Sequence, residues 1–100
     1  MARAISDSVD VPSATTRVQI STKKEQVMAI TFKARAGNSG NVYVGGATVS
    51  AASGFELAPG NSISIDPSQV SARDTTVPLS DFYVDAASSG DDVDFFALVK

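Results

Sequence analysis

The stretch "QVMAITFKAR" (residues 26–35) decides the fold class. Met28, Ile30, Phe32 and Ala34 share one parity, while Thr31, Lys33 and Arg35 take the other. Alternation of period two puts successive side chains on opposite faces of an extended chain, so this stretch predicts a strand with one buried face. The same pattern recurs outward along the chain. Val18 with Ile20, Val42 with Val44, Ile63 with Ile65, and Phe82 with Val84 each share a parity. The final run "DVDFFALVK" places Val93, Phe95, Ala97 and Val99 on one face and adds Phe96 and Leu98 on the other. A strand apolar on both faces is central in its sheet or has one face in an interface.

Turn chemistry separates these runs. "APGN" sets Pro59 before Gly60, the order a type II turn requires, because proline presets φ and glycine accepts a positive φ. "AGNSGN" (residues 36–41) reads as the loop of a hairpin, and "SSGDD" (residues 88–92) as a further turn. The segment Asp66–Ser80 carries two prolines and no sustained period, and reads as one extended loop. "STKKEQ" is too short to hold a helix alone.

These readings predict an all-β protein, a compact β-sandwich or jelly-roll-like barrel of about seven or eight short antiparallel strands. The expected core is Met28, Ile30, Phe32, Val42, Val44, Ile63, Ile65, Phe82, Val84 and Phe95. The chain divides into an N-terminal arm or edge strand over 1–15 and a single sandwich domain over 16–100. Its 100 residues suit one domain.

Composition narrows the chemistry. With no cysteine there is no disulfide or thiolate nucleophile, and with no histidine the commonest general base and metal ligand are gone. Tryptophan, the usual sugar platform, is missing too. Asp81 and Asp85 flank a strand without an aromatic-rich groove to make them a glycosidase pair. The expectation is a non-enzyme with no cofactor and no metal. Asp91, Asp92 and Asp94 lie in a turn whose spacing is not that of a calcium loop. Lys23, Lys24 and Glu25 read as a solvated connection. The net charge of −3, with the acids gathered in the second half, argues against nucleic acid. No segment is long and apolar enough to span a membrane, and the N-terminus lacks the apolar core of a secretory signal.

The stretch "NVYVGGATVSAASGFELAPGNSISID" (residues 41–66) raises a different question, because it is rich in glycine and nearly uncharged. Val42, Tyr43, Val44, Gly45, Val49, Gly54, Phe55, Leu57, Pro59 and Gly60 form a pattern that resembles small virion proteins of tailed bacteriophages. Closest in kind are their β-sandwich capsid cement, or decoration, proteins. Gly45, Gly46 and Gly54 would permit tight turns, and Leu57 with Phe55 would anchor the loop over the sheet. The resemblance covers about a quarter of the chain and brings no catalytic residue. It implies a structural virion protein on the capsid surface, made in the host cytoplasm, that binds the major capsid protein and stabilises the head. The C-terminal run, apolar on both faces through Phe96 and Leu98, predicts a homo-oligomer, and the resemblance favours a trimer. The alternative is a receptor-binding or adaptor domain of a tail or fibre. The residues expected at capsid or subunit interfaces are Ile5, Val9, Val11, Val70, Val77, Leu79, Phe96 and Leu98.

Overall fold

The computed structural model describes residues 3–65 and 77–100. Among the described residues nine strands run in chain order: β1 (Arg3–Val11), β2 (Val18–Gln19), β3 (Gln26–Ala34), β4 (Val42–Gly45), β5 (Phe55–Leu57), β6 (Ser62–Ile65), β7 (Val77–Pro78), β8 (Tyr83–Ala86) and β9 (Asp91–Val99). A single 3-10 turn covers Leu79–Asp81, and no α-helix occurs among the described residues. One sheet has the order β1-β9-β3-β6, with β7 also paired to β3. The other has the order β2-β8-β4-β5. Every pairing is antiparallel.

The pairing is nested. The first strand pairs with the last, β2 with β8, β3 with β6, and β4 with β5. A long antiparallel ribbon folded over into two sheets in this way is a jelly roll. The all-β sandwich expected from the alternation is therefore the observed fold. The strand count exceeds the expected seven or eight because β2 and β7 are only two residues each.

The core lies between the sheets. Val11, Val27, Phe32, Ala34, Val42, Val84, Val93, Ala97 and Val99 are fully enclosed there. The Phe32 and Phe82 rings meet at 5.6 Å between centroids, tilted by 55°. Ile63, Ile65 and Phe82, expected in the core, are only partly buried and pack against its margin. Ile63 and Ile65 lie on β6, an edge strand, and Phe82 on the connection into β8.

Three expectations need correction. Met28 was assigned to the core, but the pairing of β3 with β9 slips between Val27 and Ala29. This bulge inserts one extra residue and reverses the parity of the strand start, so Val27 points inward and Met28 is half-buried. The loop at 36–41 is not a hairpin: β3 and β4 belong to different sheets, so it is an arch between them. The end of the Asp66–Ser80 loop is ordered structure, since Val77 pairs with Val27 and Leu79 is buried, while residues 66–76 lie outside the described residues. Finally, of the two readings of the N-terminal segment, arm or edge strand, residues 3–11 take the second, as the edge strand β1. Val9 and Val11 are buried in the common core, and β1 pairs along its whole length with β9.

The expected turns at Gly60 and Gly90 form as read. Gly60 has φ +87°, and the Asn61 N–H donates to the Ala58 carbonyl at 2.9 Å, as a type II turn demands. Gly90 has φ +86°.

Gly54 explains why the loop between β4 and β5 holds glycine. A Cβ there would stand 2.6 Å from Val49 Cγ2, 2.8 Å from Tyr43 Cβ and 2.9 Å from the Ser50 carbonyl. Val49 folds back over this point and is buried, and the Gly54 N–H donates to Ser50 at 2.8 Å. Because one of the three obstacles is backbone, the clash cannot be relieved by a rotamer change. Gly54→Ala is expected to cost about 1–3 kcal/mol, as overpacking does. A chemical denaturation midpoint unchanged by this substitution would refute the close-approach account.

Candidate docking surface

The outer face of the β1-β9-β3-β6 sheet is built by the residues of opposite parity to the core. On β9 they are Asp92, Asp94, Phe96 and Leu98, and on β3 they are Ala29, Thr31 and Lys33, with Arg35 just beyond. Cross-strand register places Leu98 beside Ala29, Phe96 beside Thr31, and Asp94 beside Lys33. Ala4, Ser6, Ser8 and Asp10 of β1 flank β9, and Ser62 and Ser64 of β6 flank β3. Phe96 is 53% exposed and Leu98 40% exposed, on strands where the surrounding residues are small. The Thr31 and Ser64 hydroxyls bond at 2.8 Å.

One end of this face is apolar and the other charged. The Arg35 guanidinium donates from Nε to both carboxylate oxygens of Asp94, at 2.9 and 3.1 Å. Burial alone would raise the Asp94 pKa. The hydrogen bonds from Arg35 and Ser8, and the charges of Arg35 and Lys33, instead hold it below the ordinary aspartate value. Asp92 is pushed the other way, first by desolvation and then by its hydrogen bond with Asp10 and the Asp10 charge. Asp10 lies directly across from it on β1. Like charges opposite one another loosen a ladder.

A pH dependence follows. A carboxyl whose folded-state pKa is raised contributes stability below its unfolded pKa, and that contribution is lost as pH rises through the folded value. Asp92 therefore favours the folded chain more near its ordinary value of 3.8 and below than at neutral pH. Asp92→Asn is expected to raise the melting temperature at pH 7 and to leave it nearly unchanged at about pH 3. A melting temperature lowered at pH 7 by the substitution would count against the crowded pair. Asp94, with its lowered pKa, acts with the opposite sign and loses its stabilisation as pH falls.

Asp91 has turned inward. Its carboxylate oxygens accept the Ser39 N–H at 2.9 Å and the Gly40 N–H at 3.0 Å. Asn38 completes the anchor of the arch: its Nδ2 donates to the Asp92 carbonyl at 2.9 Å, and its Oδ1 accepts the Asp92 N–H at 3.0 Å. The acidic turn thus fastens an inter-sheet arch. No group of three or more acidic side chains placed to hold a metal occurs among the described residues.

A second concavity of about 820 Å³ opens at the end of the sandwich. Phe55, Tyr83, Ile63 and Val77 supply its apolar walls, and Lys24 and Asp81 its charged rim. Phe55 is 56% exposed at this mouth. It does not anchor the loop with Leu57, as expected; Leu57 alone is buried there, opposite Val42. Tyr43 leaves the main core face, as its parity requires, but is buried because the loop with Val49 and Gly54 covers it. Asp85, its cross-strand neighbour, is buried as well and accepts the Ala86 N–H at 2.8 Å.

The residues expected at interfaces separate into two groups. Phe96 and Leu98 stand exposed on one face. Val9, Val11 and Leu79 are spent on the core, Ile5 packs against it, Val77 is half-buried, and Val70 lies outside the described residues. The small and charged partners of Phe96 escaped the sequence reading, because nothing in a strand's own sequence says which strand will lie beside it.

No family model and no curated protein matches the chain. Among solved structures, it is similar to a protein from a study of Bacillus endospore appendages, described as a family of disulfide-linked pili. The TM-score is 0.50 at 13% identity, over 98% of this chain and 85% of that one. A de novo designed double-stranded β-helix aligns at a TM-score of 0.47 and 11% identity, over 98% of this chain and 99% of the other. FlhE aligns at 0.46 and 10% identity, over 99% and 97%. At these identities the pilus protein speaks for a shared all-β fold.

Proposed function

We propose that this chain is a non-enzymatic structural virion protein, a capsid cement subunit that binds the outer surface of a phage head and stabilises it. The observation that carries the reading is the outer sheet face on which Phe96 and Leu98 stand exposed. Exposed apolar side chains grouped on one face mark a surface that works by being covered by protein. The sequence pattern of residues 42–60 supplies the virion setting, with the major capsid protein as partner. The jelly roll supplies rigidity, since it holds short strands in two mutually braced sheets. Fold alone does not define a role. The pilus protein of similar fold is described as disulfide-linked. This chain has no cysteine, so its contacts in a shell are not disulfides.

Expanded capsids prepared with and without the protein test this reading. The expected result is binding in a copy number that scales with the capsid lattice, together with greater resistance to heat. Absence of binding, or binding without added resistance, overturns it. The groove beside Phe55 and Tyr83 favours the second reading, a receptor-binding or adaptor domain of a tail or fibre, because apolar walls and charged groups converge there. A copy number of a handful per particle would select that alternative.

A further inference from the structure

The outer sheet face is complementary to itself. Its two central strands, β9 and β3, carry opposite characters at every level. Leu98 pairs across the seam with Ala29, and Phe96 with Thr31, so each large apolar side chain has a small neighbour. Asp94 pairs with Lys33, and Arg35 follows at the level of Asp92, its backbone N–H reaching the Asp92 carbonyl. The seam also divides the order β1-β9-β3-β6 in half.

A two-fold axis laid along this seam, parallel to the strands, brings β9 of one copy over β3 of the other. Phe96 then lies over the partner's Thr31 and Leu98 over the partner's Ala29. Asp94 and Asp92 meet the partner's Lys33 and Arg35, and each contact occurs twice, as a two-fold interface requires. At the margins β1 lies over β6, where the facing residues, Ser6 with Ser64 and Ser8 with Ser62, are small and polar. Asp92, crowded by Asp10 within its own chain, gains a cation.

We infer that this face is the interface of a two-fold dimer, in which β9 of each copy lies on β3 of the other. The inference rests on the reading above that the Phe96 face is covered by protein; it names that protein as a second copy of this chain, which leaves the capsid to be met by another face of the dimer. Two sheets packed face to face in this way lie about 10 Å apart with strands nearly aligned. Strand spacing and rise give three nine-residue strands and the four-residue β6 an area of roughly 500 Å² per copy. The pair so buries about 1,000 Å², the size at which a specific interface begins. This size suits a modest, reversible dimer. A face-to-face contact of this kind closes on two copies, not on the trimer that the resemblance implied.

Sedimentation equilibrium of the free chain, without capsids, tests it. The expected mass is twice the 10.3 kDa of the monomer at tens of micromolar. Phe96→Asp should weaken association roughly thirtyfold or more, as loss of a central aromatic anchor does, while the circular dichroism spectrum stays all-β. Asp94→Lys alone should also weaken it, by setting lysine against the partner's Lys33. Adding Lys33→Asp to Asp94→Lys should recover part of the association, because that cross-copy pair is restored with its signs exchanged while Arg35 keeps its charge beside position 94. A monomeric wild-type chain, a dimer indifferent to Phe96→Asp, or a double variant no tighter than Asp94→Lys overturns the inference. Capsid binding is read in a separate experiment, so a monomer that still coats capsids would sink the dimer and leave the cement reading standing.

Discussion

Replacing Phe32 with alanine is expected to destabilise the protein by about 3–5 kcal/mol, the range for buried phenylalanine. Phe32 is fully enclosed at the centre of β3, between the two sheets, and its ring packs on Phe82 from the opposing connection. Its neighbours in the ladder are Phe95 on one side and Ile63 on the other. Removing the ring strips contacts from both sheets and leaves a cavity that backbone hydrogen bonding prevents from closing. A domain of this size has about 5–15 kcal/mol in total. The loss therefore appears as a fall of more than about 10 °C in melting temperature. Phe96→Ala provides the control, since an equally large ring is removed from a half-exposed site. If the two variants melt together at a concentration where the chain is monomeric, the placement of Phe32 at the heart of the core is wrong.

The second large effect is expected at Asp91. Its buried carboxylate receives the backbone N–H groups of Ser39 and Gly40, and so holds the arch from β3 to β4. Asp91→Ala removes the acceptor and leaves two amide donors at a partly buried site. An unsatisfied buried donor costs about 1–3 kcal/mol, and hydrogen bonds to a charged acceptor are at the stronger end. A loss of about 2–4 kcal/mol is therefore expected. Amide exchange at Ser39 and Gly40 should accelerate far more than at Phe32 or Val93. Asp91→Asn should recover only part of the loss, because its amide nitrogen cannot accept the second bond. If exchange at Ser39 and Gly40 is unaltered in Asp91→Ala, another group anchors the arch.

The alternation in residues 26–35 and 92–100 was enough to define extended structure, because period two in apolar side chains has few other outcomes. The turns at Pro59-Gly60 and Ser89-Gly90 were legible for the same local reason: glycine tolerates the positive φ that each turn needs. Phe96 and Leu98 were readable as candidates for a docking face, since they lie on the wrong parity for a core already filled by Val93, Phe95, Ala97 and Val99. The bulge at Met28 had a weaker signal. Val27 and Ile30 are both apolar and three residues apart, a spacing that no regular strand buries on one face.

What the chain by itself determined was local: which segments extend, where they turn, and which face of each is apolar. Which strand lies beside which was decided only in the tertiary structure. Nested pairing joins Arg3 to Val99 and Val11 to Asp91. Contacts so far apart in sequence depend on the closure of the whole ribbon, and no short window records them. That closure made the segment at 3–11 an edge strand that also bears core residues, the expected hairpin at 36–41 an inter-sheet arch, and an acidic turn its anchor. It also set Phe96 beside Thr31 and Asp94 beside Lys33. The self-complementary character of the outer face is thus a property of neighbouring strands and of neither strand alone.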